Sequence, residues 1–386
     1  MCPTLESRIY LSPPSSHSSE DFRKGTIGHS VQSLSGSTEL AEYDLAILFV
    51  PEYRGAELGI SDEIEGVEQS LFELSDSFGN LKLLHLGYVV PGENLSDTYL
   101  AVTQIVRECI GNKVLPIVIG GSQDLTYASY SAYEEEERVM NLVSVDYSFD
   151  LGDVDSPIGY ESYLNKIILS HPNYLYNYSN LGYQSYFVRP DELELMNKLK
   201  FDFYRLGNVR SDLKEVEPIV RNADLLSFDL NAIKAADCPG SLKPTPNGFY
   251  GEEACAISRY AGLSDKLSSI GFYNLKPSGA GDQSPHLLAQ MLWYFIEGFY
   301  SRKNDSPVIN RTDFLKYTVT SANDLGEIVF YKNLLSERWW MDVPLPQSKL
   351  SKYERHQLVP CSYSDYEQAC NDEIPSKWLR NYEKFS

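Results

Sequence analysis

The chain is short of positive charge. Its 386 residues carry 33 Lys and Arg against 54 Asp and Glu, a formal net charge of −21. So acidic a surface does not neutralise a phosphate backbone, which excludes nucleic acid as a partner. The same balance argues against docking on an anionic membrane. Long apolar runs are also missing: nothing approaches the ~20 residues of a membrane span. No basic segment followed by an apolar stretch opens the chain, so no signal peptide is expected. Cysteine is sparse and unpatterned. Cys2, Cys109, Cys238, Cys255, Cys361 and Cys370 form no Cys-x-x-Cys pair and show no zinc-ligand spacing with a histidine. They read as reduced thiols, and the expected compartment is the cytoplasm. Three catalytic signatures are absent as well. Gly120-Gly121 is not followed by the Gly-Lys-Ser/Thr of a phosphate loop. There is no Gly-x-Ser-x-Gly elbow, and no cysteine has an evident histidine partner in sequence.

What is present is an ordinary globular composition, 42% hydrophobic and 23% charged. The length suits one large α/β domain or two small ones. Residues 1–40 are rich in Ser, Gly and Pro and are expected to form a loosely packed arm. From 43–50 onward, charge-free runs alternate with amphipathic ones. Strands are expected at 43–50, 81–90, 115–119, 142–146, 184–188, 203–206, 225–230 and 269–273. Helices are expected between them, and a Tyr- and Asn-rich loop over 150–179. Uncharged strands alternating with helices imply a parallel sheet covered on both faces. After an apolar helix at 286–300 the pattern changes. Segments 317–320 and 327–331 alternate around Asn323-Asp324-Leu325-Gly326, which reads as a hairpin turn. Trp339-Trp340 and a helix over 363–370 follow. The expected organisation is an arm (1–40), an α/β domain (41–305) and a C-terminal appendage of hairpin plus helix (306–386). The adjacent tryptophans are expected to anchor that appendage to the core or to another subunit. The 28 tyrosines raise the expectation of self-association only slightly.

Three strands end in small polar and acidic clusters. They read Val118-Ile119-Gly120-Gly121-Ser122-Gln123-Asp124, Val143-Ser144-Val145-Asp146-Tyr147-Ser148-Phe149-Asp150, and Leu225-Leu226-Ser227-Phe228-Asp229-Leu230-Asn231. In a parallel sheet, ligands bind beyond the carboxyl ends of the strands, so the three clusters are expected around one crevice. An aspartate at a strand end also caps turns and helices. Three carboxylates in one crevice, however, need a cation, a shared proton or basic partners to stay together.

The order and spacing of these motifs resemble the ureohydrolase family of arginase, agmatinase and formimidoylglutamase, over roughly 40–300. The family motifs are Gly-Gly-Asp-His-Ser, Asp-Ala-His-x-Asp and Ser-Phe-Asp-x-Asp. The resemblance implies a three-layer α/β/α sandwich, trimeric or hexameric assembly, and hydrolysis of C–N bonds in linear amidines. The family's two manganese ions, ~3.5–4 Å apart, are held by two histidines and four aspartates. Those positions map onto Gln123, Asp146, Ser148, Asp150, Asp229 and Asn231. Asp146, Asp150 and Asp229 keep the family's residue, whereas Gln123, Ser148 and Asn231 are substitutions. Both imidazoles and one carboxylate are therefore gone. The family also places Glu-x-Asn-Pro after the last sheet strand, where the acid grips the cationic substrate. Here the stretch is Tyr273-Asn274-Leu275-Lys276-Pro277, with Asn274 in place of the acid and Lys276 adding positive charge. The loop histidine that shuttles protons in arginase has no matched counterpart, and His171 reads as a surface residue.

Two functional classes follow. One is a non-catalytic binding or structural member, with a homo-oligomeric or protein partner reached through the appendage. The other is a divergent formimidoylglutamase-like or arginase-like hydrolase with a non-standard metal shell. A single divalent cation, Mg, Ca or Mn, held by the aspartates and the Gln123 and Asn231 amide oxygens is chemically reasonable.

Overall fold

Segments that are apolar along their whole length become the inner strands of one large sheet. The computed structural model describes residues 5–13, 19–59, 65–153, 155–276, 283–307, 312–320 and 326–384. The strands of this sheet are β1 Leu11–Ser12, β2 Gln32–Ser33, β3 Leu45–Phe49, β4 Leu83–Val89, β5 Leu115–Ile119, β6 Met140–Val145, β7 Leu175–Tyr183, β8 Asp202–Arg205, β9 Leu225–Asp229 and β10 Ser269–Tyr273. Their order is β1-β4-β3-β5-β10-β9-β6-β7-β8, with β2 also on β4. Only β1 runs antiparallel to its neighbour. β3, β5, β6, β9 and β10 are buried at every residue. That is why they read as continuous apolar runs rather than alternating ones: helices cover both faces.

The helices follow from their apolar stripes and caps. Leu95–Gly111 buries Val102, Ile105, Val106 and Cys109 along one face. Its start is fixed by the Asp97 carboxylate, which accepts the Asn94 N–H at 2.9 Å. Gly251–Gly262 and Ser284–Tyr300 pack closely together. Gly262 permits this, since a Cβ there would lie 2.1 Å from Phe295 O.

Three expectations need correction. The stretch 150–179 is not one loop. It contains the helix Tyr163–Leu169, with Tyr163, Leu164 and Ile167 buried, and most of β7. The strand expected at 184–188 lies earlier, as β7, and 184–188 follows it as irregular structure. The reason is compositional. β7 reads LYNYSNLGY, and its asparagines hide an inner strand from any reading of hydrophobicity. They are tolerated because each finds a partner: Asn177 Nδ2 donates to Asp202 Oδ2 at 2.9 Å, and Asn180 Nδ2 to Ser148 O at 2.7 Å. The N-terminal segment is also less loose than expected. Its β2 joins the sheet and Ile27 is fully buried.

A second sheet lies at the C-terminus. Its strands are β11 Phe314–Thr320, β12 Glu327–Asn333, β13 Trp339–Asp342 and β14 Leu358–Cys361, all antiparallel and in that order. The hairpin is thus the edge of a four-stranded sheet. Residues 323–325 of its anticipated turn lie outside the described residues, as does Pro277. Alternation along β13 sends the two tryptophans to opposite faces. Trp339 stacks on Tyr366 of the helix Tyr363–Cys370, with ring centroids 4.9 Å apart. The Trp340 ring lies 4.2 Å from the Arg221 guanidinium of the α/β core. Among the described residues no helix is long and apolar enough to cross a membrane.

Candidate functional site

The carboxyl ends of β5, β10, β9 and β6 are adjacent in the sheet. The Gly120–Asp124 turn leaves β5 with Gly120 and Gly121 at φ 93° and 71°. Only glycine fits at 121, where a Cβ would lie 2.5 Å from Glu52 O and 2.9 Å from Val50 O. This tight turn lays Gln123 across the strand ends. Asp150 and Asn274 also sit in the left-handed region, at φ 51° and 66°, where Asp and Asn are the best tolerated side-chain-bearing residues.

The six anticipated ligand positions and Asn274 form one connected network. Gln123 Nε2 donates to Asp146 Oδ2 at 2.9 Å, and also contacts the hydroxyls of Ser144, Ser227 and Tyr163 at 3.2–3.3 Å. Asn274 Oδ1 accepts the Gln123 N–H at 3.0 Å, and its Nδ2 donates to Asp229 Oδ1 at 2.8 Å. Asp229 accepts the Asn231 N–H at 2.8 Å and Asn231 Nδ2 at 3.2 Å. Ser148 donates its N–H to Asp146 Oδ1 at 3.0 Å and its hydroxyl to Asp150 Oδ1 at 2.7 Å. Lys276 stands apart: its N–H donates to Gly240 O at 2.7 Å, and no side-chain bond joins it to this network among the described residues. His171 is exposed, as expected.

The cluster is closed to water, with Asp146, Asp150 and Asp229 exposed by 0%, 6% and 1%. No lysine or arginine forms an ion pair with any of the three among the described residues; Lys243, whose N–H meets Asn231 Oδ1, sends its ammonium to Glu161 at 2.7 Å. Burial pushes all three carboxyls upward. Asp150 and Asp229 go well above the usual range, and the Asp146 carboxylate adds to both. The desolvation penalty explains the direction. An unpaired buried ion costs several kcal/mol, whereas a hydrogen bond to a charged group returns only ~1.5–3. Ionising these carboxyls is therefore harder than ionising exposed ones.

A dinuclear manganese centre does not fit this donor set. It has no imidazole, and the oxygens of Asp229 and Asp146 already accept amide and backbone N–H groups. Gln123 offers Asp146 its NH2 rather than an oxygen. The Asn231 oxygen is taken by the Lys243 N–H at 2.6 Å, so a single-ion site would need both amides turned. Among the described residues, no group of three or more His, Cys, Asp or Glu is arranged to hold a metal. One acceptor is left over: Asp150 Oδ2 is buried without a hydrogen-bond partner.

Sequence reasoning misses several members of the network. Ser144 interrupts an apolar strand beside its motif, and that interruption is a usable signal. Tyr163 gives none, because it lies on the helix inside the stretch expected to be a loop. Asp124, beside the network rather than in it, stands out in sequence only as the end of a motif. It is buried, accepts a hydrogen bond from Tyr99 at 2.5 Å, and is pushed up to about 6 by burial.

Comparison with known proteins bears on the whole architecture. The arginase family model matches residues 52–297. Formimidoylglutamase of Staphylococcus aureus strain MSSA476 is 22% identical over 252 residues, covering 62% of this chain and 80% of that protein. The crystal structure of Trypanosoma cruzi formiminoglutamase with manganese superposes with a TM-score of 0.63 at 18% identity, covering 69% of this chain and 97% of that one. Formimidoylglutamase from Bacillus subtilis gives 0.63 at 15% identity, covering 75% and 95%. At such identities these structures share the fold.

Proposed function

This chain belongs to the arginase family, and on that premise we propose that it is a member without the dinuclear manganese centre, acting as a non-catalytic binding or structural protein. The observation that carries this reading is the chemistry facing the carboxyls. Where the family resemblance puts cations, Asp146 and Asp229 meet the NH2 groups of Gln123, Asn274 and Asn231. Hydrogen-bond donors have taken over the work of metal ions, and the result is a sealed polar core. The substrate side agrees with this, since Asn274 presents no acid to a cationic amidine and is itself bonded to Asp229. In this reading the partner is a second copy or another protein meeting the C-terminal sheet and the turn after β12, which expose Leu315, Leu334 and Leu335. The compartment it assigns is the cytoplasm.

A second reading is a divergent hydrolase of C–N bonds in linear amidines. The formimidoylglutamase relatives favour it. One assay separates the two. The purified chain with added manganese is incubated with arginine, agmatine or N-formimidoylglutamate, and urea or formamide is measured. Release no greater than a blank is expected. Robust hydrolysis that Asp229→Ala abolishes would make the chain a working enzyme.

A further inference from the structure

A second charged cluster occupies the opposite, amino end of the sheet, and its electrostatics have the other sign. Asp224, just before β9, is fully buried. Three cations converge on its carboxylate: Arg355, Arg138 at 3.3 Å and Lys266 at 3.8 Å. One negative charge does not balance three positive ones. The surplus borders a cavity of about 200 Å³ between the core and the C-terminal sheet, lined by these cations and by Arg221 and Trp340 among others.

Arg221 is the second observation. It is 4% exposed. Its Nη2 donates to Trp339 O at 3.1 Å and Cys361 O at 3.3 Å. Its Nε lies 3.1 Å from Glu217 Oε1, near enough for an ion pair but misdirected for a hydrogen bond. Its Nη1 is buried with no acceptor among the described residues. Guanidinium groups bind carboxylate and phosphate through paired N–H donors, and this one has donors to spare. Two acids also line the cavity. Asp305 is committed to Arg338 at 3.3 Å. Asp265 accepts the Asp305 N–H at 2.7 Å, and burial pushes its carboxyl upward.

We propose that this cavity is a binding site for a small oxyanion, a ligand bearing a phosphate or carboxylate group, held by Arg138, Arg221, Lys266 and Arg355. Such a ligand would tie the core to the C-terminal sheet, because Arg355 and Trp340 come from the latter region and the other cations from the former. The proposal is independent of the carboxyl-edge cluster and of whether that cluster is catalytic.

The test uses the full-length chain, titrated separately with inorganic phosphate and with succinate, against chloride at matched ionic strength. Calorimetry, thermal unfolding and tryptophan fluorescence are read. Saturable binding of at least one oxyanion at one per chain, with a raised Tm, is expected; which one binds identifies the source of the oxyanion. Arg138→Gln and Arg355→Gln, both at partly exposed positions, should each weaken it at least tenfold. Trp340→Phe retains a ring against Arg221 and should remove the fluorescence change while binding persists, which locates the signal in this cavity. Absence of saturable binding of either anion above the chloride control would overturn the proposal. So would wild-type affinity in both arginine variants.

Discussion

Asp224 and Asp229 bracket β9, and both are buried, yet their surroundings are opposite. At the amino end, burial alone would raise Asp224, but Lys266, Arg355 and Arg138 hold its carboxyl below the ordinary range. At the carboxyl end, Asp229 meets only amide groups and is driven well above that range, by burial first and by Asp146 second. The same residue type at the two ends of one strand is thus shifted in opposite directions. Partners, not burial, decide which. Cations supplied by the chain itself make a structural anchor. Carboxyls gathered without them are met by amide N–H groups instead.

The sharpest way to break this comparison is to neutralise each acid. Asp224→Asn leaves three cations around a neutral amide. The cost should be about 3 kcal/mol by denaturant unfolding, at the low end of the ~3–5 seen when a buried pair loses one partner, because Arg138 and Arg355 still reach water. Asp229→Asn leaves no cation unpaired, but its new NH2 group faces the N–H donors of Asn231 and Asn274, so its cost should be smaller, about 1–2 kcal/mol. Equal penalties would show that the two ends do not differ.

A smaller effect sharpens the contrast through pH. The folded pKa of Asp224 lies below its unfolded value of about 3.9, so its stabilisation is complete above that pH. It is lost as pH falls through the folded value. The Asp224→Asn penalty should therefore be full at pH 7 and shrink below about pH 4. Unfolding curves of both proteins across that range check it, and a penalty that grows on acidification would reverse the assigned sign.

How much of this is legible in the sequence depends on distance along the chain. Inner strands such as Leu115–Ile119 announce themselves, because burial on both faces leaves no room for polar residues. The three strand-end motifs are legible for a related reason: each is local, and a parallel sheet gathers such ends on one edge. β7 is not legible, since its asparagines are offset by partners on β8 and on the Ser148 turn. Nor is the amino-end cluster. Arg355 reaches Asp224 across 131 residues, and nothing local to either predicts the meeting. At the carboxyl edge, Gln123, Ser148 and Asn231 are legible as departures from the family motifs the sequence resembles. That Gln123 turns its NH2 towards Asp146 follows only from the surrounding hydroxyls of Ser144, Ser227 and Tyr163.

The central claim is that hydrogen-bond donors occupy the place of a metal centre, and metal content tests it most directly. The full-length chain is equilibrated with excess manganese, dialysed against metal-free buffer and assayed for bound metal by elemental analysis. The triple variant Gln123→His, Ser148→His, Asn231→Asp, which returns two imidazoles and one carboxylate, is treated alongside it. The account predicts far less than one manganese per chain in the wild type and a clear gain in the variant. Two tightly held manganese ions per wild-type chain would contradict it.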